Sequence, residues 1–456
     1  MKFDQFPEIE KERIKLLNNQ PLKQGGFVLY WMQATQRTEH NQALDYAIML
    51  ANKLNQPLLV YFAITNSYPE ANERHYYFML EGLKQVQTSF EEKNLQFLIQ
   101  NLSPEVGVCA VGKEASAVVV DAGYSKTERQ LRNYVASHVS CPLVQLECNV
   151  VVPVELVSPK EEYSAATIRR KIMKQVTKFL VLNKQPVLEK TKIKTDFSSF
   201  EISDLDKAVK NLNFDKSVKR VKTFHGGTSH AKKHLKLFIE TKLEKYDNQR
   251  NDPTKNVLSN MSAYLHFGQI SPIFVALNVL ESNNQGMDTY LEQLIVRREL
   301  AFNFVFYNNN YDCFDGLPEW TKKSLNEHKD DTREYVYSLD ELEKAKTHDV
   351  YWNAAQKQMI ICGKMHGYMR MYWGKKIIEW TNDPQTAYEY ILYLNNKYEL
   401  DGRDPNGFTG VAWCFGKHDR PWKERSVFGK IRYMNAKGLQ RKFNIEKYVK
   451  QIDQLT

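Results

Sequence analysis

The sequence predicts two architectures in series: an α/β domain, with a parallel sheet carrying helices on both faces, and then an all-α domain. Three observations carry this. Residues 27–147 alternate short, almost wholly apolar runs with segments of helical periodicity, the pattern of strands buried on both faces. From residue 228 onward strand signals vanish and nearly every segment has helical spacing. Between them, residues 148–225 turn Lys-rich and read as a long connection with some helix and little core. The expected divisions are an extension (1–24), an α/β domain (25–150), a linker (151–225), a helical domain (226–445) and a tail (446–456).

In order, FVLYWM is a strand closed by the polar turn ATQRTEHN, and NQALDYAIMLANKLN is a helix. PLLVYFAI, LQFLIQNL, SAVVVDAG and PLVQLE are four more strands, spaced by helices expected near 72–93, 104–115 and 127–139. The arrangement is Rossmann-like, yet no GxGxxG follows the first strand, so a standard dinucleotide grip is not indicated. In such sheets ligands lie beyond the carboxyl ends of the strands. The turn at Gln36–Arg37 and the stretch NSYPEANERHYY are therefore candidate ligand positions, and a purely structural lobe accounts for them equally well. His225-Gly226-Gly227 reads either as a phosphate cradle or as a turn, with Thr228 or Ser229 as N-cap of the helix that follows. Helices are expected over 228–246, 272–282, 287–308, 337–346, 351–380, 384–396 and 424–436.

Composition narrows the setting. At 42% hydrophobic and 26% charged the chain has an ordinary globular composition, and no run approaches 18 uncharged apolar residues. The N-terminus lacks the apolar core of a secretory signal. Six cysteines without a CxxC pair argue against a zinc site and for a reducing compartment, cytoplasmic or, in a eukaryote, nuclear. The net charge of +9 fits a polyanionic partner but is modest for this length. In the helical half, Arg297, Arg298, Arg370, Trp413, Trp422 and Arg432 mix aromatic and basic side chains, which suits stacking on a planar ligand beside phosphate.

Within 351–380, Arg370, Trp373, Ile377 and Trp380 fall at offsets of 3, 7 and 10 and share one helical stripe. Two turns at about 1.5 Å per residue put the indoles of Trp373 and Trp380 roughly 10 Å apart. That gap suits electron transfer between them, and spacing alone equally describes a core stripe.

The motifs YPEANERHYYFMLEGL, NVLSNMSAYLHFGQISP, LIVRREL, WNAAQKQM, GKMHGYMRMYW, YELDGRDPNGF and VFGKIRYMN, in that order, resemble class II cyclobutane pyrimidine dimer photolyases over residues 25–445. The resemblance implies that the helical domain binds FAD and that the partner is double-stranded DNA containing pyrimidine dimers. It implies a light-driven carbon–carbon lyase acting as a monomer, with no obligate protein partner and no membrane. Tyr246, Val257, Leu258, Ser259, Met261, Ser262, Leu265 and Arg298 match cofactor-binding positions. Arg370 and Asp401 match an ion pair at the flavin edge, and Asn395 an amide near flavin N5. Gly402, Asp404 and Asn406 belong to a turn that passes close to the ring. Trp373, Trp352 and Trp380 match an electron-transfer chain, proximal to distal, which Tyr337 extends.

Trp413 matches an aromatic against which an extruded dimer packs. Arg297, Arg432, Lys417 and Arg420 are the expected DNA contacts. Relatives bind a deazaflavin antenna in the α/β lobe, though some need none, so the resemblance gives the antenna a place without requiring it. Two departures stand out. Gln293 occupies a position where relatives commonly carry glutamate, with Glu292 beside it, and the loop after Trp413 is one residue short, which loosens the placement of Lys417 and His418. A cryptochrome-like photoreceptor would share fold and flavin, but the long C-terminal tail usual for that function is not seen before Thr456. A non-catalytic flavin- or nucleic-acid-binding module would be expected to lose the flavin-edge groups, and all are present. Repair of the (6-4) lesion would call for a histidine pair that the motifs lack.

Overall fold

The computed structural model describes residues 6–193 and 195–455. All five expected strands form: β2 (Phe27–Trp31), β3 (Leu58–Ala63), β4 (Gln96–Gln100), β5 (Ala115–Asp121) and β6 (Leu143–Leu146). They run parallel in the order β6-β5-β2-β3-β4. Every residue of β2, β3 and β5 is buried, because helices cover both faces. Helices α1 (Gln42–Lys53) and α2 (Glu73–Glu92) close one face, and α3 (Pro104–Val111) and α4 (Lys126–His138) the other. A sixth strand, β1 (Ile14–Leu16), pairs antiparallel with β6 and lies in the segment expected to be an extension. Three residues, two of them exposed, are too few to show a period of two.

Residues 148–225 hold much more core than their composition suggests. Val151, Val152, Phe179 and, from α5 (Ala165–Met173), Ile168 and Ile172 pack into the helical domain, while Leu188, Ile202, Leu212 and Phe214 pack on the sheet. Beyond the run at 150–157 these side chains are scattered among lysines, so the segment is a strap over both domains that composition does not mark.

The helical half comprises, among others, α6 (Thr228–Thr241), α7 (Leu243–Gln249), α8 (Ser262–His266), α9 (Pro272–Glu281), α10 (Met287–Leu291) and α11 (Arg298–Tyr307). It continues with α12 (Val350–Cys362), α13 (Gly367–Trp380), α14 (Pro384–Tyr398), α15 (Pro405–Cys414), α16 (Ala436–Lys442) and α17 (Ile445–Asp453). The expected helix over 351–380 is two. Gly363 takes a left-handed backbone (φ 66°) that closes α12, and His366 accepts the Tyr368 N–H at the start of α13. Residues 292–297 between α10 and α11 are π-helical.

Residues 424–435 are not helical. Val427 and Gly429 are left-handed (φ 66° and 52°), and Arg425 and Gly429 exchange backbone hydrogen bonds across a tight turn. The stretch expected as a tail forms α17 and packs on α12. Gly227, not Thr228 or Ser229, is the N-cap of α6, and the Gly226 and Gly227 amides donate to Glu81 and Gln269, so no phosphate cradle exists there. Among the described residues no helix is long and apolar enough to cross a membrane.

Candidate active site

The helical domain encloses a cavity of about 640 Å³, within the usual range for small-molecule and cofactor sites. One wall comes from α7 and the loop into α8, which place Tyr246, Leu258, Ser259, Met261, Ser262 and Leu265 on the cavity. Asn260 turns that loop with a left-handed backbone and accepts a hydrogen bond from Lys364 at 2.8 Å. A second wall is the π-helical turn and the start of α11. The π-turn presents Gln293, Leu294 and Arg297, with Arg298 directly after. Such turns re-aim side chains and recur at functional sites. The third wall is α13, with Arg370 and Met371, and the fourth is the loop into α15 and one face of α15 along its length, with Asp401, Asp404, Asn406, Thr409 and Trp413. Asp404 caps α15 by accepting the Asn406 N–H, and Pro405 occupies its first position.

The charge is one-sided. Arg250, Arg297, Arg298, Lys364, Arg370, Arg432 and Lys442 line the cavity against Asp401 and Asp404 alone. The buried Arg298 spends Nη1 on the Asn149 carbonyl at 2.7 Å and leaves Nη2 without a partner among the described residues. Arg370 Nε is likewise unpartnered. Burial lowers Lys364 to about 8, with Asp401 and Glu399 acting against it. Burial alone would raise Asp404, but His266 at 3.2 Å and the nearby Arg298 hold it below the usual carboxylate range.

The expected Arg370–Asp401 pair forms, but a second carboxylate lies closer. Arg370 lies 3.0 Å from Glu399, a fully buried carboxylate, and 3.8 Å from Asp401. Glu399 therefore carries the closer pairing, and burial raises it to about 7 in spite of Arg370. Its sequence signal is only its place two residues before Asp401.

Trp352 stands between Trp373 and Trp380. Its ring centroid is 6.3 Å from Trp373, stacked at 10°, and 5.6 Å from Trp380. Its indole N–H donates to the Trp373 carbonyl, and the Trp373 indole donates to Gln356. Trp380 meets Tyr337 edge-on at 5.3 Å, and the Tyr337 hydroxyl lies 2.7 Å from His348. All three indoles are buried and Tyr337 is half-buried, so one aromatic row runs outward from the cavity helix.

Not every candidate faces the cavity. Val257, Asn395 and Gly402 do not line it. Asn395 is buried behind the first turn of α15, where a Cβ on Gly407 would come within 3.2 Å of its Nδ2. Lys417, expected to face DNA, does not present its ammonium at the surface. It is buried, pairs with Glu161 and lies 4.3 Å from the Phe304 ring centre. His418 is tied to the Tyr163 carbonyl. Arg420 and Arg432 are exposed, and their guanidinium carbons lie 5.4 and 5.3 Å from the ring of Trp422, itself 40% exposed. At the mouth, Arg297 lies over Trp413 at 5.5 Å and is held by Glu292, which also binds Arg169.

In the α/β domain, Asp121 accepts the N–H groups of Gln33, Ala34 and Thr35, and the buried Arg37 donates to Cys148, Asn149 and Gly268. Arg37 is thus an interdomain strut. A small cavity of about 110 Å³ beside it is lined by Gln36, Tyr68, His75, His266 and Arg403, among others.

Three comparisons bear on this geometry. A family model described as DNA photolyase matches residues 28–190. A deoxyribodipyrimidine photo-lyase of Methanothermobacter thermautotrophicus is 49% identical over 97% of this chain and 98% of its own length. One from Arabidopsis thaliana is 40% identical over 98% of this chain and 94% of its own. Among solved structures, an archaeal photolyase from Sulfolobus tokodaii, holding two FAD molecules, superposes with a TM-score of 0.71 at 15% identity, over 93% of this chain and 89% of that one.

Proposed function

Because the chain belongs to the DNA photolyase family, we propose that it is a class II enzyme that splits cyclobutane pyrimidine dimers in DNA with light, using reduced FAD in the helical cavity. The observation that carries this reading is the junction of one cationic cavity with one aromatic row. Arg370, backed by Glu399 and Asp401, faces the cavity, and on the same helix Trp373 opens the path through Trp352 and Trp380 to Tyr337.

The donor set fits FAD. The unpartnered guanidinium nitrogens of Arg298 and Arg370 offer bonds to an anion, and the hydroxyls of Ser259 and Ser262 lie in a loop that opens a helix, where phosphate is favoured. Held there in its reduced form, FAD would supply the excited-state electron on which opening of the cyclobutane ring depends. The protein orients and screens that chemistry. Arg370 would hold the negative flavin edge, whereas Asn395, behind the cavity wall, would act on the ring only through its neighbours. The tryptophans and Tyr337 lead electrons in from the surface and so keep the cofactor in its working state.

Trp413 and Arg297 form the face against which the extruded dimer packs, with Gln293 hydrogen-bonding the bases. Arg432 and Arg420, flanking Trp422, bind the surrounding duplex, where phosphate contacts set position. The 110 Å³ cavity in the α/β domain is smaller than ordinary ligand sites and gives no independent support to a deazaflavin antenna.

The deciding experiment illuminates purified, chemically reduced protein with a duplex carrying a single thymine dimer. The expected result is loss of dimer well above a dark control. Dimer loss equal to the dark control refutes the reading.

A further inference from the structure

We propose that His348 is the proton acceptor for Tyr337, so that the aromatic row ends in a proton-coupled step that traps the electron hole on Tyr337. The inference rests on the function proposed for the cavity and adds to it a base that belongs neither to the cavity nor to the tryptophans.

The donors around the Tyr337 oxygen fix the direction of the proton. The backbone N–H of His348 donates to that oxygen at 3.0 Å. The hydroxyl's own hydrogen is then left for its other neighbour, His348 Nδ1, 2.7 Å away. A hydroxyl that donates to Nδ1 requires that nitrogen to be bare, so the neutral ring carries its hydrogen on Nε2.

Three contacts hold the pair against the last indole. The Tyr337 backbone N–H donates to the Trp380 carbonyl at 3.1 Å. The Tyr337 ring meets Trp380 edge-on at 5.3 Å, and the His348 ring meets the same indole at 5.2 Å. Tyr335 stacks on His348 with centroids 3.7 Å apart. His348 directly precedes Asp349, the N-cap of α12, so the helix that carries Trp352 also fixes the base.

The oxidant is photo-excited oxidised flavin, which draws an electron through Trp373 and Trp352 and leaves a radical cation on Trp380. One electron then passes from Tyr337 to Trp380, the Tyr337 O–H bond breaks, and its proton forms a bond to His348 Nδ1. The products are neutral Trp380, a neutral tyrosyl radical and an imidazolium. Without a base the same electron loss would leave a phenol radical cation, which is strongly acidic, so hole transfer to Tyr337 waits on the proton. Two charges then oppose its return. The Lys376 ammonium lies 5.4 Å from the Trp380 ring centre, and the new imidazolium is edge-on to that ring, so both disfavour a positive Trp380. Lys376 is paired with Glu379, which leaves the imidazolium as the larger change.

The test loads the whole chain with oxidised FAD and follows radicals after a light flash by transient absorption, for wild type, Tyr337→Phe, His348→Phe and His348→Ala. Wild type yields a neutral tyrosyl radical, formed more slowly in heavy water, and Tyr337→Phe yields only the tryptophan radical. His348→Phe keeps a ring beside Trp380 and Tyr335 but offers no base, so the tyrosyl radical forms at least about 100-fold more slowly, the lower weight of a positioned base. His348→Ala slows it equally, and imidazole added to the solvent restores it, because His348 is exposed. A wild-type rate in His348→Phe overturns the inference. So does a slow His348→Ala that imidazole leaves slow, because the ring would then only place Tyr337. A tyrosyl radical that survives in Tyr337→Phe also overturns it, by assigning the hole to another phenol such as Tyr335, 6.4 Å away. In the dark, nitrogen NMR of His348 shows a hydrogen on Nε2, and a hydrogen on Nδ1 overturns the inference without any photochemistry. If wild type binds FAD and repairs dimers yet gives no tyrosyl radical, only this inference fails. If wild type takes up no FAD, the proposed function fails and this falls with it.

Discussion

Two groups of cations near the cavity mouth look alike in sequence and differ in structure, and salt dependence separates them. Arg420 and Arg432 are exposed and flank Trp422, whereas Lys417, three residues before Arg420, has a side chain only 7% exposed and is locked to Glu161. Removing one cation that neutralises a phosphate of duplex DNA makes the slope of log affinity against log salt shallower by about 0.9. The Arg420→Ala/Arg432→Ala double variant should therefore bind a dimer-containing duplex with a slope shallower by about 1.8. Between about 50 and 200 mM salt, wild type then loses about 3.5-fold more affinity than the variant for each arginine removed.

Lys417→Ala should leave that slope alone. Its cost falls on stability, because Glu161 loses its partner and the Phe304 face its cation, about 1–3 kcal/mol. Fluorescence anisotropy across a salt series, with a urea melt beside it, measures both quantities. The reasoning is refuted if Lys417→Ala flattens the slope as much as Arg432→Ala, or if the double variant keeps the wild-type slope.

Three further outcomes follow from individual residues. Trp352→Phe removes the ring that bridges Trp373 and Trp380, so photoreduction of bound FAD should slow at least tenfold while chemically reduced protein repairs dimers normally; ordinary photoreduction would count against the aromatic row. Glu299 is buried and raised by burial from 4.5 to about 8, so its folded form holds a proton that its unfolded form releases. The stability this adds is full below pH 4.5 and is lost as pH rises through 8, by at most about 1.4 kcal/mol per unit. Glu299→Gln should flatten that part of the urea-stability profile, and an unchanged profile would exclude Glu299 as its source. Gly363→Ala forces a Cβ into a left-handed residue and within 2.9 Å of Leu400 and Val221, and should cost about 1–2 kcal/mol or more in a thermal melt.

The parts of the fold that could be read in the sequence are those written in an unbroken period. β2, β3 and β5 are buried end to end, so their apolar runs are plain, and the stripe of Arg370, Trp373 and Trp380 keeps its helical offsets in α13. What escaped is written in single residues. Gly363 splits one long periodic segment into two helices, and Val427 and Gly429 replace a helix by a turn while leaving its composition unaltered. Helix α15 did announce itself, with Asp404 as N-cap and Pro405 as first residue, but DPNG reads as a turn when taken four residues at a time. In the site, residue types pointed to Arg370 and Asp401, yet only burial reveals that Glu399 sits closer and is the more costly charge to hold. Asn395 and Lys417 show the converse, since a residue of the right type in the right motif stands behind the wall or in the core.

The stretch NSYPEANERHYY shows why a motif in the α/β domain need not bind a ligand there. Asn72 donates to the Lys397 carbonyl, Arg74 to those of Met359, Ile360 and Tyr398, and the His75 ring bonds the Glu399 carbonyl at 2.9 Å. Met359 and Ile360 lie in the last turn of α12, and Lys397 and Tyr398 close α14. Terminal helix carbonyls are left without partners inside the helix and carry the negative end of its dipole. The start of α2 supplies a guanidinium and two further side chains to these two ends at once. One residue beyond them the chain becomes Glu399 and then Asp401, the carboxylates of Arg370. The sheet domain thus sets the backbone from which the cavity's ion pair projects, and through Glu70 it reaches the Asn396 amide as well. Neither domain holds that corner of the site alone, so a helical half cut from its sheet would lose the placement of Arg370 even if every cavity residue were kept.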